Sequence, residues 1–191
     1  MAPCRVVLVA LPCSEVVEID GSLDIFYAAN LFLGYPGSCH DGYDVEVVSP
    51  ATTVRAWAGL RLVADRSYRS IRGPVHTLIV TGIPTPDDAR RDPDLLRWLG
   101  RIAPRVRRLV GLCTGTFVLA EAGLLAGHRA TTHWMYCDDL AARYPERIAL
   151  QIVIPVEICM KLLYPATKQG LKIAGFFFRR ASANSITPML M

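Results

Sequence analysis

The chain has 191 residues, of which 52% are hydrophobic and 20% charged; this is one domain's worth, long enough to bury roughly 70% of the surface its unfolded form exposes. That balance excludes intrinsic disorder, and 14 Gly, 13 Pro and 6 Cys exclude a collagen-like or disulfide-scaffold chain. The formal charge of +4 is uneven: residues 1–150 carry 16 Arg against 16 acids, whereas residues 151–191 carry Lys161, Lys168, Lys172, Arg179 and Arg180 against Glu157 alone.

Arg5 to Leu11 is a short Val-rich run without polar alternation, which predicts a strand buried on both faces. Ile19 to Leu33 predicts a helix, with Leu23, Phe26, Ala29, Asn30 and Leu33 near a 3–4 spacing. Residues 35–42 are rich in turn formers and predict a loop. Tyr43–Ser49 predicts a strand, and Val54–Trp57 with Leu60–Val63 a hairpin around Ala58-Gly59. Val75–Thr81 is another buried strand. Asp92-Pro93 opens a helix to about Ala103, because Asp caps and Pro suits the first turn. Arg108–Leu112 predicts a strand, Thr114–Leu125 a helix ended by Gly127, Arg129–Thr132 a short strand and Trp134–Tyr144 a helix ended before Pro145. This alternation implies an α/β fold with a largely parallel sheet.

The six cysteines (4, 13, 39, 113, 137, 159) form no C-x-x-C pair, so free thiols in a reducing compartment are expected. The first apolar run, Val6–Leu11, is too short and too soon followed by acids for a signal peptide, and the longest later run is interrupted by Gln151, Pro155 and Glu157. The expected location is the cytoplasm, with no membrane association. Cys39-His40-Asp41 is one loop cluster with no partner motif, so neither a metal nor another cofactor is expected. The arginines at 101, 105, 107 and 108 read as a solvated edge leading into a strand.

The chemically informative segment is Gly111-Leu-Cys-Thr-Gly115, where a buried strand runs straight into a helix with Cys113 at the junction. G-x-C-x-G is the thiol counterpart of a nucleophile elbow: small neighbours allow a tight turn that presents a strained, exposed side chain. The helix N-terminus aims unpaired N–H groups at the sulfur, so Cys113 is expected to titrate below an ordinary cysteine and to be the most reactive thiol. The carboxyl edge of an open α/β sheet is also where ligands bind. His133, after Thr131-Thr132, is a candidate general base or a structural histidine.

Residues 111–134, together with Leu11–Phe26, Val45–Pro50, Gly59–Asp65 and Leu140–Pro145, resemble the ThiJ/PfpI superfamily (class I glutamine amidotransferase-like). The resemblance is closest to the amidase-like N-terminal domain of AraC-type transcriptional regulators and next to isocyanide (isonitrile) hydratases, and it spans about residues 5–147. It implies a flavodoxin-like three-layer sandwich, usually dimeric. It also implies Cys113 as the nucleophile, Glu18 as the acid that hydrogen-bonds it, and Thr114 as the threonine whose backbone N–H is one oxyanion donor. The second donor falls at Gly82-Ile83, where relatives carry Gly-Gly and the Cβ of Ile83 narrows the approach. Cys13 likewise stands where relatives commonly carry glycine. None of the four histidines is followed by Glu two places on, so the amidotransferase triad is not expected.

Two functions follow from the resemblance: a sensory domain for an unknown small molecule, belonging to an AraC-type regulator and here without its helix-turn-helix region, or an isocyanide-hydratase-like lyase. In the first case the chain is expected to be a homodimer that does not bind DNA specifically by itself. The domain is placed at residues 1–147. Residues 148–191 are expected to be an atypical tail, not the native end of the domain, because lysine rises from none to three and Asp falls from eleven to none at that boundary.

Overall fold

In the computed structural model the described residues are 3–33 and 42–145. The predicted tail, Cys39-His40-Asp41 and nearly all of the predicted 35–42 loop lie outside them. Five strands form one parallel sheet: β1 (Cys4–Val9), β2 (Tyr43–Ser49), β5 (Arg66–Ser67), β6 (Val75–Val80) and β7 (Val106–Gly111), in the order β5-β2-β1-β6-β7. The predicted hairpin forms a separate antiparallel pair, β3 (Thr53–Arg55) and β4 (Arg61–Val63), turning at Gly59 with φ +89°. Four helices accompany the strands: α1 (Val16–Leu33), α2 (Pro93–Ile102), α3 (Gly115–Glu121) and α4 (Cys137–Arg143).

Alternate residues of β1 serve opposite faces, as the pleat requires. Val7, Val9 and Leu11 join Leu78 and Val80 of β6, Leu95, Trp98 and Leu99 of α2, Phe117 and Val118 of α3 and Leu140 of α4 in the larger core. Val6, Leu8 and Ala10 pack with Ile79, Val110 and Ile19, against which Leu23 and Phe26 of α1 lie. The sheet is therefore the middle of three layers, as expected. No described helix is long and apolar enough to cross a membrane, and the described cysteines 4, 13, 113 and 137 are free.

Several boundaries differ from expectation for local reasons. Helix α1 starts at Val16, three residues before the apolar spacing begins, which puts Glu18 in its first turn. Asn30 is not part of the apolar stripe: its amide donates to the Tyr43 carbonyl (2.8 Å) and accepts the Tyr43 N–H (2.7 Å), tying the end of α1 to the start of β2. Helix α3 ends at Glu121 rather than Leu125 because Gly123 turns left-handed at φ +74°. Its N–H donates to Ala120 and the Leu124 N–H to Leu119, the bond pair of a Schellman stop. Residues 129–132 form no strand; their polar groups instead serve the site described below. At α2 the Asp92 carboxylate accepts the Leu95 N–H at 2.9 Å, as the Asp-Pro cap predicted.

The glycines of the elbow are required by close packing. A Cβ on Gly115 would lie 2.5 Å from the Thr81 carbonyl oxygen and 2.6 Å from that of Val80, both backbone atoms of the adjoining segment. Gly100, inside α2, has nothing within 4 Å of its Cβ position. Gly115→Ala is expected to cost about 3 kcal/mol or more, or to prevent folding, whereas Gly100→Ala is expected to add about 0.5–1 kcal/mol by removing helix-opposing backbone freedom. Urea-unfolding midpoints of the two variants check both signs.

Candidate functional site

The site lies where the carboxyl ends of β1, β6 and β7 meet, beside the point between β1 and β6 where the chain changes its direction of travel across the sheet. That is the crevice in which open α/β folds bind ligands. Each strand delivers one part: β1 leads into Glu18 on α1, β6 into Gly82-Ile83, and β7 into Cys113.

Cys113 has φ +48°, the left-handed conformation of an elbow residue; such a conformation costs a non-glycine residue roughly 1–2 kcal/mol. The surroundings hold it there. The Cys113 carbonyl accepts the Thr132 hydroxyl at 3.0 Å, the Gly115 N–H donates to the Leu112 carbonyl at 2.7 Å, and a Cβ on Gly111 would press against the Thr116 backbone at 3.0 Å. The Thr116 hydroxyl donates to the Thr131 carbonyl at 2.8 Å, so residues 131–132 brace the elbow from behind.

Glu18 reaches the elbow from the first turn of α1. Its carboxylate accepts the Gly82 N–H at 2.6 Å and is hydrogen-bonded to the Cys113 thiol. A Cβ on Gly82 would fall 2.9 Å from one Glu18 oxygen, so a side chain here would make the Glu18 carboxylate shift. Thr114 clamps the next residue: its hydroxyl donates to the Ile83 carbonyl (2.5 Å) and accepts the Ile83 N–H (2.8 Å). The resemblance cast the Ile83 N–H as an oxyanion donor, but here it faces the Thr114 oxygen. The Thr114 N–H points at the Cys113 sulfur.

The electrostatics reverse one expectation. Burial is the largest influence on Glu18 and raises its pKa, although the bonds from Gly82 and Cys113 oppose the rise. The Cys113 thiol is pushed up to about 12, first by burial and then by the Glu18 charge, against the lowering effect of the Thr114 N–H. The predicted low-titrating thiol does not hold beside an ionised Glu18. Helix α3, only seven residues long, gives a weak counterweight to a neighbouring carboxylate. The two groups behave as a coupled pair that keeps one proton over a wide pH range.

His133 is separate from this pair. Its ring accepts the Met135 N–H at 3.2 Å, capping a short turn at 134–136, and packs beside Trp134 and Tyr136. Among the described residues these contacts are the ones its ring makes. Sequence reasoning missed Ser14 and Thr81. The buried Ser14 hydroxyl lies 2.5 Å from the Thr81 hydroxyl and 2.9 Å from the Gly82 carbonyl, while the Thr81 oxygen accepts the Leu11 N–H. These bonds lock the ends of β1 and β6 together. Neither residue carries a periodic or motif signal; only their position just past an apolar run hints at the role. Among the described residues no group of three His, Cys, Asp or Glu side chains is arranged to hold a metal.

Glu18→Gln removes the charge and keeps an acceptor for Gly82. The Cys113 titration is then expected to move down from about 12, read as thiolate absorbance against pH; an unchanged midpoint would mean that the Glu18 charge does not act on the sulfur, and a higher one that Glu18 stabilises the thiolate. Because the folded pKa of Glu18 is raised, its contribution to stability is largest below its unfolded value near 4.5 and falls as pH rises through the folded value. The Gln variant, which has no proton to lose there, should therefore gain on wild type as pH rises across that window. Urea-unfolding midpoints of both proteins at acid and neutral pH check the sign, and a difference that stays constant with pH would contradict it.

A family model described as the DJ-1/PfpI family matches residues 5–162. An uncharacterised protein in the cpoL 5′ region of Streptomyces lividans is 34% identical over 144 residues, covering 75% of this chain and 96% of that protein. The HTH-type transcriptional regulator CdhR of Pseudomonas aeruginosa is 40% identical over 65 residues, 34% of this chain but 19% of the regulator. The isonitrile hydratase of Pseudomonas putida is 47% identical over 49 residues, 26% of this chain and 22% of the enzyme. Among solved structures, an AraC family transcriptional regulator from Pseudomonas putida superposes with a TM-score of 0.64 at 25% identity, covering 78% of this chain and 77% of that one. The match across most of the chain, joined to the parallel sheet and its cysteine elbow, shows that the chain belongs to the DJ-1/PfpI family.

Proposed function

We propose that this chain is a small-molecule-sensing domain of the kind found in AraC-type regulators, in which the Cys113–Glu18 pair recognises a ligand without turning it over. One observation carries this reading: N–H groups around the sulfur are already engaged. Thiol-dependent hydration or hydrolysis needs donors aimed at the place where negative charge develops. The Gly82 N–H is taken by Glu18 and the Ile83 N–H by Thr114, which leaves the Thr114 N–H alone facing the sulfur. A ligand then meets a protonated thiol and a buried carboxyl on a floor braced by Ser14 and Thr81, which suits recognition of a small polar group. The similarity to regulators supports this reading. A homodimer is part of this reading, with the exposed Trp57, Leu60 and Val63 of the β3–β4 pair supplying apolar contact area.

The Glu18–Cys113 contact favours a second reading, an isonitrile hydratase. In that reaction the thiol adds to the terminal carbon of the isocyanide, forming a C–S bond and leaving its proton on that carbon. Water then adds to the thioimidate, the C–S bond breaks, the sulfur regains a proton and an N-substituted formamide leaves. Glu18 would carry protons between sulfur and substrate. Incubation with cyclohexyl isocyanide separates the readings. The sensing role predicts no formamide above the buffer rate, whereas formamide production that disappears in Cys113→Ser would establish the hydratase.

A further inference from the structure

The end of the sheet opposite Cys113 carries a feature that the sensing role does not use. Arg72 and Gly73 lie just before β6 and Arg105 just before β7, whereas Cys113 follows the carboxyl end of β7. Strands of six residues keep the two regions about 20 Å apart. Between the 68–73 turn and α2 runs an open groove of about 660 Å³, within the size range of small-molecule sites.

Its walls carry Arg69, Arg72, Arg97, Arg101 and Arg105 against one acid, Asp94. Positions 97, 101 and 105 recur every fourth residue, so α2 and the 3₁₀ turn after it present a column of guanidinium groups along one face. The apolar face of the same helix, Trp98 and Leu99, is buried in the core, which leaves this column no freedom to turn inward. The opposite wall is fixed as well: Nη1 of Arg72 donates to the carbonyls of Arg69 (2.6 Å) and Ile71 (2.9 Å), and the Arg69 guanidinium lies 4.7 Å over the Tyr68 ring. Asp94 pairs with both Arg69 and Arg97 and has its pKa lowered by them, so one negative charge is shared by two of the five cations. Arg101 and Arg105 make no hydrogen bond or ion pair among the described residues.

Five guanidinium groups around one carboxylate repel one another unless an anion joins them. Guanidinium forks match phosphate oxygens two at a time, and Arg101 and Arg105 stand one helical turn apart, about 6 Å, a spacing that suits neighbouring phosphoryl groups. We propose that this groove binds a small molecule bearing a diphosphate, with Arg101 and Arg105 as its principal clamp and Arg69, Arg72 and Arg97 setting the field around it. The bounded groove favours a compact ligand over the continuous basic track that a polynucleotide backbone needs.

Calorimetric titration of the full chain with inorganic pyrophosphate at low ionic strength tests the proposal. Sub-millimolar binding is expected, weakening with added salt and falling by at least about tenfold in R101A/R105A, while C113S binds as wild type does. Both arginines are exposed, and the melting temperature of the ligand-free double variant should equal or exceed that of wild type because like charges have been removed. Absence of pyrophosphate binding would overturn the proposal, as would binding that survives R101A/R105A. So would retention of duplex DNA through these arginines by a protein that ignores pyrophosphate.

Discussion

A backbone N–H at the end of β6, on Gly82, donates to a buried carboxylate on α1, and that carboxylate in turn touches the thiol at the end of β7. This chain of contacts ties together the carboxyl ends of three neighbouring strands, β1, β6 and β7. Glycine at 82 lets the Glu18 oxygens come this close without displacement. The contacts also bring a charge into a poorly solvated place. A buried carboxylate is tolerated only with partners, and the protein provides one backbone donor and one thiol. The Ser14–Thr81 bonds keep the donor in position.

The strained elbow and the raised pair are linked. Close packing of Gly111 and Gly115 against neighbouring backbone leaves Cys113 no route other than the left-handed turn, and residues 131–132 brace that turn from outside. The same packing that holds the sulfur also desolvates it. A thiol placed this way beside a carboxylate keeps its proton, although the Thr114 N–H faces it. Thr114 has a single hydroxyl proton, now given to the Ile83 carbonyl. It also lies within bonding reach of the sulfur, where it would favour the thiolate. A shift of the Gly82-Ile83 loop therefore changes the environment of the sulfur.

Much of this architecture was legible in the sequence. Continuous apolar runs marked β1 and β6 because central parallel strands are buried on both faces, alternation marked β2, and Gly-x-Cys-x-Gly marked the elbow because small neighbours allow its tight turn. Glu18 and Thr114 were reached only through resemblance, since a lone carboxylate in a first helical turn has no distinctive pattern. What stayed hidden depends on three-dimensional neighbours. Strand β5, only Arg66–Ser67, is too short to leave a period. Asn30 sits at an apolar spacing but satisfies the β2 backbone. Whether Ile83 offers or withholds its N–H depends on a threonine 31 positions away. Cys13 takes φ +61°, a left-handed conformation that favours glycine and does not follow from the residue itself.

Glu18 is a buried, partnered carboxyl whose charge acts on the sulfur. Its side-chain carboxyl carbon, labelled with ¹³C and followed by NMR against pH, reports that charge directly. The expected result is a midpoint above the ordinary 4.5, moving further up in Cys113→Ala because the thiol bond that lowers it is lost. A midpoint at or below 4.5, unmoved by removing the thiol, would contradict it.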